Sequence, residues 1–145
     1  MKTLFKKMML LQCFFLLVTS ISCAAHRKDQ IFEVTGIREQ DARIFYSALK
    51  DAILNNKREV LAGMVRYPVG AFVKGKPTAN RNRIEFLKNY DEIINQHIKD
   101  VVKKTKFEDL KPNFRGLFVG DGEMILSGFI GEDGIFIIVF NNQMK

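Results

Sequence analysis

The stretch FRGLFVGDGEMILSGFIGEDGIFIIVF, residues 114–140, decides the fold. It contains three runs rich in Phe, Ile, Leu and Val, the side chains that suit a pleated and packed surface. Asp-Gly dipeptides separate these runs, and they accept the positive φ angles of a tight hairpin turn. We therefore predict three antiparallel strands in a meander: Phe114–Val119, Glu123–Ile130 and Ile135–Phe140.

Both faces of this predicted meander are apolar. Side chains alternate between the two faces of a strand, and neither alternating set in the third strand has a polar member. The two sets are Phe136, Ile138, Phe140 and Ile135, Ile137, Val139. An antiparallel sheet with one solvent-exposed face alternates apolar with polar residues. Each Ile or Phe left exposed lacks the roughly 1.5–3 kcal/mol of stabilisation that its burial would give. We therefore expect helices to cover one face and a second subunit or another partner to cover the other.

The N-terminal 25 residues are typical of a secretory signal peptide. Three lysines accompany the apolar run Met8–Val18, which is shorter than a membrane-spanning helix needs. Small residues follow at positions 19–25. Removal of this segment, which holds three Lys and no acid, lowers the formal charge from +7 to +4. We expect export, and an exported protein is not expected to bind nucleic acid.

The cleavage site has two interpretations. Small residues up to Ala25 suit a general signal peptidase, which would release a periplasmic or secreted protein. Alternatively, Ser22-Cys23-Ala24 resembles the end of a bacterial lipobox, and Cys23 would then anchor an outer-membrane lipoprotein. Ser20 stands where that motif usually has Leu, so soluble export is the preferred prediction. In both cases the mature domain has no cysteine pair for a disulfide, although its compartment would permit one.

Two asparagine–glutamate pairs predict where helices begin. In each pair the Glu follows the Asn by three residues, the spacing of a capping box. Asn56 and Glu59 would open a short helix, and Asn82 and Glu85 a long one. The apolar residues after Asn82 recur at helical intervals as far as Val102, so we predict one long helix there, with a bend near Asp91 as an alternative to a straight course.

The predicted elements combine into one α+β domain. Residues 26–40 would form a loose lead-in, and the domain would span residues 41–142, a length that one core can serve. Helices and one hairpin precede the meander, with the predicted bounds Asp41–Asn55, Lys57–Val65, Val69–Val73, Thr78–Asn80 and Asn82–Thr105.

This order of elements resembles the NTF2-like superfamily, a cone-shaped α+β fold. The most particular likeness lies in RIEFLKNYD, residues 83–91, with Ile93, and in GLFVGDGE, residues 116–123, which are similar to small exported bacterial members. The resemblance implies a sheet wrapped around the long helix, a pocket between them, and dimerisation through the outer face of the sheet. Because the superfamily contains enzymes, transport factors and binding modules, it implies no single activity.

Three residues are predicted to bind a ligand: Tyr67, His97 and Arg115. His97 lies on the apolar stripe of the long helix and could act as a general base, although a hydrogen-bonded core histidine is the commoner case. Tyr67, next to Pro68, would lie at the pocket mouth, and Arg115, the one positive charge inside the predicted sheet, could hold an anionic group. The acidic turn Gly120–Glu123 has too few oxygen ligands for calcium. Two distant histidines also disfavour a zinc site, so no metal or cofactor is expected.

The sequence favours a binding module over an enzyme. It contains no Gly-x-Ser-x-Gly, P-loop or dinucleotide-binding motif. We therefore expect an exported, non-catalytic module of the bacterial envelope that holds a small apolar ligand or a protein partner, which includes an immunity-like or inhibitor-like role. The partner could also be a second copy in a homodimer. The alternative is a small isomerase, dehydratase or hydrolase whose pocket the three residues above would line.

Overall fold

The computed structural model describes residue 35, residues 37–128 and residues 134–143. All of them belong to one compact unit. The predicted signal peptide, most of the predicted lead-in and the last two residues of the second predicted meander strand lie outside the described residues.

Helices and strands in the described part of the chain give an α+β fold, as predicted. The helices are α1 (Glu39–Leu54), α2 (Arg58–Gly63), α3 (Arg83–Lys88), α4 (Tyr90–Ile93) and α5 (Gln96–Lys104). The strands are β1 (Val65–Val73), β2 (Lys76–Asn80), β3 (Lys111–Asn113), β4 (Gly116–Val119), β5 (Met124–Gly128) and β6 (Ile135–Phe140). A 3₁₀ turn, Phe107–Asp109, precedes β3.

The strands form one mixed, curved and unclosed sheet in the order β2-β1-β6-β5-β4-β3. Neighbouring strands are antiparallel, except that β1 and β6 run parallel. The predicted meander is confirmed as β4, β5 and β6, and the predicted bounds of β6 are correct. The predicted hairpin is also confirmed as β1 and β2, which join the same sheet through β6.

β3 has no counterpart among the predicted strands. Its residues, Lys-Pro-Asn, carry none of the branched or aromatic side chains that indicate a strand. They pair with residues 116–118 of β4 at the edge of the sheet, where a short and polar strand is a common way to end the sheet. The segment before the predicted meander therefore contains an edge strand.

A β-bulge in β6 decides which side chains face the core. Two adjacent residues of β5 pair with Val139 and Ile137, so Ile138 between them is an extra residue in β6. As a result, Ile137 and Phe140 reach the same face of the sheet, and both are fully buried. The predicted alternation, which groups Phe140 with Phe136, is wrong beyond the bulge.

The helices cover the face of the sheet that carries these two buried residues, which we name the inner face. The meander strands β4, β5 and β6 contribute six side chains to this face that have no solvent exposure, and these share one core cluster with the buried residues of the helices. They are Leu117, Val119, Met124, Leu126, Ile137 and Phe140. The cover predicted for one face of the sheet is therefore helical.

The predicted long helix is wrong, because the segment forms α3, α4 and α5. Asn89 ends α3 and begins α4, and its side-chain amide donates to the Oδ1 atom of Asn80 (2.8 Å). Asn95 begins α5 by accepting a hydrogen bond from the backbone N–H of Ile98 (3.1 Å). Its amide also donates to the carbonyl oxygen of Asn142 (2.9 Å). The Asn95 side chain thereby offers the backbone an alternative to a continuing helix.

The two predicted N-caps have different outcomes. Asn82 does cap α3, since its Oδ1 atom accepts a hydrogen bond from the backbone N–H of Glu85 (3.0 Å). The N-cap predicted at Asn56 is wrong, because this residue has a φ of 55° and ends α1. The N–H of Lys57 then donates to the carbonyl oxygen of Ala52 (2.8 Å), as in a Schellman motif. Asparagine tolerates left-handed geometry, so it serves here as the end of a helix.

β1 begins at Val65, four residues before its predicted start. The preceding helix ends at Gly63, and Tyr67-Pro68, joined by a cis peptide bond, lies within the strand. The residue before a proline avoids α geometry, but this rule does not distinguish a loop from a strand.

Two buried tyrosines differ in the hydrogen bonding of their hydroxyl groups. The Tyr90 hydroxyl has no partner among the described residues, whereas the Tyr46 hydroxyl donates to the carbonyl oxygen of Thr105 (3.2 Å). Loss of an unsatisfied buried hydroxyl is near neutral or stabilising, and loss of a satisfied one costs about 1 kcal/mol. In urea unfolding we expect Tyr90→Phe to keep or raise the free energy of unfolding and Tyr46→Phe to lower it by about 1 kcal/mol. Equal losses in the two variants would contradict this difference.

Tyr46 also makes stability depend on alkaline pH. Burial raises the pKa of Tyr46 to about 12 and outweighs the hydrogen bond to Thr105, which lowers it. An unfolded tyrosine loses its proton near pH 10, so between the two pKa values only the folded chain keeps this proton, and stability falls as the pH rises. We expect this residue to contribute a fall of up to about 1.4 kcal/mol per pH unit. In urea unfolding between pH 10 and pH 12, the free energy of unfolding should fall less steeply with pH for Tyr46→Phe than for the wild type. Identical pH dependence of the two proteins would argue against the raised pKa.

Candidate functional site

The face of the sheet opposite the inner face carries an unbroken cross-strand row of mostly apolar residues. The row consists of one residue from each of the six strands, and each residue pairs directly with the next. Only the residue in β3 is charged. In order they are Ala79 of β2, Gly70 of β1, Val139 of β6, Ile125 of β5, Phe118 of β4 and Lys111 of β3. We name this set the outer row.

Burial shows that the outer row lies apart from the core. Ile125 is 6 % exposed, yet it is the one buried apolar residue of the described chain that does not join the core cluster. Its neighbours Phe118 and Val139 are partly exposed, and Gly70 is exposed. A Cβ atom added at Gly70 would meet no other atom within 4 Å, so the space above that strand is open. The helices of the described chain therefore cover one face of the sheet only.

Charged side chains lie on both sides of this apolar strip. On one side the Nζ atom of Lys111 contacts the Oδ1 atom of Asp121 (2.6 Å), which raises the pKa of the lysine and lowers the pKa of the aspartate. On the other side the Arg66 guanidinium lies 5.8 Å from the centroid of the Phe136 ring, a cation–π distance. An apolar centre with charged margins is the composition of a protein-binding surface.

The two edges of the sheet are unsuited to pairing with another strand. β2 begins with Lys76-Pro77 and β3 with Lys111-Pro112, so each edge carries the same dipeptide. Proline has no N–H to donate, and a lysine on an edge opposes strand addition. Contact with another protein is therefore favoured at the outer face of the sheet and not at its edges.

A second candidate site is the contact between His97 and Glu123. His97 lies in the first turn of α5, and its Nε2 atom is 3.4 Å from the Oε1 atom of Glu123, which lies between β4 and β5. The Glu123 side chain is 8 % exposed, and its Oε2 atom accepts a hydrogen bond from the backbone N–H of Asp121 (2.7 Å). The imidazole is 37 % exposed, but its Nε2 atom is buried and makes no hydrogen bond among the described residues, so the carboxylate lies against the ring without bonding to it. A partly exposed imidazole beside a carboxylate is the kind of pair from which a general base is built.

The sequence predicts His97 as a site residue but not its carboxylate partner. Glu123 follows an Asp-Gly dipeptide, and the turn alone accounts for acidic residues at this place. The two residues lie on different elements of the fold, so no helical or strand spacing relates them. Only the packing of α5 against the β4–β5 turn brings them together.

The other two predicted ligand-binding residues lie elsewhere. The Tyr67 hydroxyl in β1 donates to the carbonyl oxygen of Ala62 (3.0 Å), and burial raises the pKa of Tyr67 to about 12. Arg115 is exposed in the turn between β3 and β4, with its guanidinium 5.7 Å from the centroid of the Phe114 ring. Among the described residues, no hydrogen bond, ion pair or ring contact joins these two to each other or to His97. A pocket shared by the three residues stays a prediction.

Comparisons of the chain with protein-family models, with curated proteins and with solved structures found no match. Within residues 37–128 and 134–143, no helix is long and apolar enough to cross a membrane. Over the same residues, no group of three or more potential metal ligands comes together. Function is therefore inferred from the outer row and from the His97–Glu123 contact.

The turn that carries Glu123 depends on Gly120. This residue has a φ of 67°, and an added Cβ atom would collide with the Glu123 carboxylate and lie 2.7 Å from the Cγ1 atom of Val101. We expect Gly120→Ala to lower the free energy of unfolding by about 1–3 kcal/mol in urea unfolding. Gly63→Ala is the matched control, since its added Cβ atom meets nothing within 4 Å and alanine suits a helix better. A neutral effect at both positions would show that the turn does not need a glycine.

Proposed function

We propose that this chain is an exported, non-catalytic binding module of the bacterial envelope and that it holds a protein partner on the outer face of its sheet. The outer row carries the proposal, because it is an apolar strip across six strands that the helices of the described chain leave open. The N-terminal pattern of lysines, apolar run and small residues supports export. An immunity-like or inhibitor-like role falls within this class.

The binding energy at this face would come from its apolar side chains. When a partner covers a partly exposed Val or Phe, the complex is stabilised by part of the roughly 1.5–3 kcal/mol that full burial of such a side chain gives. Six strands span about 24 Å, and four residues along a strand span about 13 Å, so the flat footprint is about 300 Å². A standard interface buries about 800 Å² per partner. A partner must therefore also contact the charged margins, or it will bind weakly.

A protein partner fits these observations better than a small ligand. Small ligands bind in concave pockets, whereas the outer row lies on an open sheet whose inner face is filled by side chains without exposure. Arginine and aromatic residues contribute strongly to protein–protein binding, and Arg66 and Phe118 lie on or beside the apolar strip.

Membership of the NTF2-like superfamily is part of this proposal. Two helices, a hairpin, a helical segment and a meander in that order support it, as does the packing of the helices on one face of a curved sheet. Two features differ from the expected pattern. The helical segment is broken into α3, α4 and α5, and β3 adds an edge strand.

The place of the module in the envelope is also proposed. Cleavage after Ala25 would release it to the periplasm or the medium, and lipidation of Cys23 would anchor it to the outer membrane. The mass of the mature N-terminus distinguishes the two, because only the second route leaves a lipid on the first residue.

A small enzyme is the second candidate function, and the His97–Glu123 contact favours it. A buried carboxylate beside a partly exposed imidazole is suited to general base catalysis. Neither Tyr67 nor Arg115, which such an enzyme was expected to use, contacts this pair among the described residues. The binding module is therefore the preferred function.

A charge placed in the outer row should release the partner. Val139→Lys puts an ammonium group in the centre of the apolar strip, and Ile44→Lys is the matched control because Ile44 is 64 % exposed on α1. In native mass spectrometry of protein isolated from the envelope, wild type and Ile44→Lys should appear in a complex of defined stoichiometry. The complexed fraction of Val139→Lys should be at least tenfold lower, since an unpaired charge would have to be buried.

Two results would count against this function. A wild-type protein that is monomeric both in the envelope isolate and after purification would contradict a binding module. Loss of the complex in His97→Gln but not in Val139→Lys would move the site to the histidine and favour the enzyme.

A further inference from the structure

We infer that the C-terminal end of α5 docks on a membrane surface that carries anionic headgroups. Three exposed lysines would make the contact: Lys103, Lys104 and Lys106. We name these three residues the basic end of α5. It belongs to the helical layer and not to the outer face of the sheet, so this inference goes beyond the proposed function and does not depend on it.

The three lysines are exposed and have no acidic partner. α5 places Ile98 and Val102 in the core, where neither has solvent exposure, while Lys103 and Lys104 extend into solvent from its last turn. Among the described residues, no ion pair joins any of the three lysines to a carboxylate. Their charges are therefore available to an external anion.

The acidic residues nearest in sequence are bonded to other groups. Asp100 accepts a hydrogen bond from the amide of Gln96 (2.9 Å), and Glu108 contacts the guanidinium of Arg43 (2.9 Å). Asp109 accepts a hydrogen bond from a backbone N–H group (3.1 Å). These carboxylates reduce the local positive charge, but none of them is paired with a lysine of the basic end.

Lys50 of α1 compensates the negative end of the helix dipole. Its Nζ atom donates to the carbonyl oxygens of Lys103 (3.1 Å) and Thr105 (2.8 Å). The C-terminus of a helix carries about half a negative charge, which would otherwise offset part of the charge of the nearby lysines. Residues 99–109 hold four lysines and three acidic residues, and α1 adds Arg43 and Lys50, so the local net charge is +3.

The chain enters the described domain beside this charge. Arg43 contacts both Glu39, the first residue of α1 (3.1 Å), and Glu108, which follows the basic end by two residues (2.9 Å). Eleven residues lie between Cys23 and Thr35, and an extended chain of this length spans at most about 40 Å. In a lipid-anchored form, this connection would keep the basic end within reach of the membrane that holds the lipid.

The expected attachment is weak and reversible. Each lysine near an anionic membrane surface strengthens binding about fivefold, which corresponds to about 1 kcal/mol, so three lysines give about a hundredfold. A basic patch and one acyl chain together give stable attachment where either alone is marginal. Because α5 packs on the inner face of the sheet, this contact leaves the outer row accessible to a protein partner.

Co-sedimentation with lipid vesicles tests the contact. The chain that begins at His26, which cleavage after Ala25 would release, is used because it lacks both the apolar run of the signal peptide and any lipid. It should bind vesicles of equal parts phosphatidylcholine and phosphatidylglycerol at least tenfold more tightly than vesicles of phosphatidylcholine alone. Raising the salt from about 0.1 M to about 1 M should release it, since the Debye length falls from about 10 Å to about 3 Å.

A charge-matched pair of variants distinguishes this surface from the overall charge of the chain. Lys103→Gln with Lys104→Gln should weaken binding to the anionic vesicles at least tenfold. The control is Lys74→Gln with Lys76→Gln, which removes two equally exposed charges near the β1–β2 turn. The backbone N–H of Lys74 donates to Glu92 of α4 (2.6 Å), so this turn lies near the other end of α5. The control should bind within twofold of the wild type, and urea unfolding curves report whether both variants are folded.

Three outcomes would overturn the inference. Equal binding to the two kinds of vesicle, or none to either, would exclude contact with an anionic membrane surface. Equal losses in the two double variants would show that only the net charge matters. Release by inorganic phosphate at constant ionic strength would show that the lysines bind isolated phosphate groups and not a membrane. None of these results concerns the outer row, so the proposed function would be tested separately.

Discussion

The extra residue at Ile138 determines how the sheet distributes its apolar side chains. In a regular strand Ile137 and Val139 would share one face, and Phe140 would point to the other. The bulge instead sends Ile137 and Phe140 to the inner face, where both are fully buried, and leaves Val139 on the outer face. The filled core and the outer row are therefore two consequences of the same inserted residue.

A buried asparagine fixes the helices to the side of the sheet that the bulge fills. The Asn142 side chain is bonded to both backbone groups of Phe72 in β1, each at 2.8 Å, and to the carbonyl oxygen of Glu92 in α4 at 2.9 Å. Its own carbonyl oxygen accepts from Asn95, which begins α5. Because these bonds are partly buried, their loss would leave polar groups without partners where the helices meet the sheet. The helices are thus held on the inner face, and the outer face stays open to another molecule.

The sequence predicts the parts of this arrangement that local pattern controls. β6 has its predicted bounds because its sequence is an unbroken apolar run that follows an Asp-Gly dipeptide, and Asn82 caps α3 as its spacing from Glu85 predicts. The breaks at Asn89 and Asn95 were not predicted, since apolar residues keep a helical spacing whether the helix is continuous or broken. The bulge depends on how β6 pairs with β5, and the contact of His97 with Glu123 depends on how α5 packs against the β4–β5 turn. Neither can be predicted from the spacing of residues within one element.

Gly70 relates the shape of the sheet to the contact that we propose for the outer face. A glycine within a strand lowers the stability of the fold by about 0.5–1 kcal/mol relative to alanine. At Gly120 the glycine has a local reason, because the turn requires its positive φ. Gly70 has no positive φ, and the described chain leaves the space beside it open, so neither its backbone nor its neighbours require a glycine. A glycine inside a strand often marks a place where another group approaches closely. Gly70 also lies at the end of the register shift between β1 and β6, and its open side suits the proposed contact with another molecule.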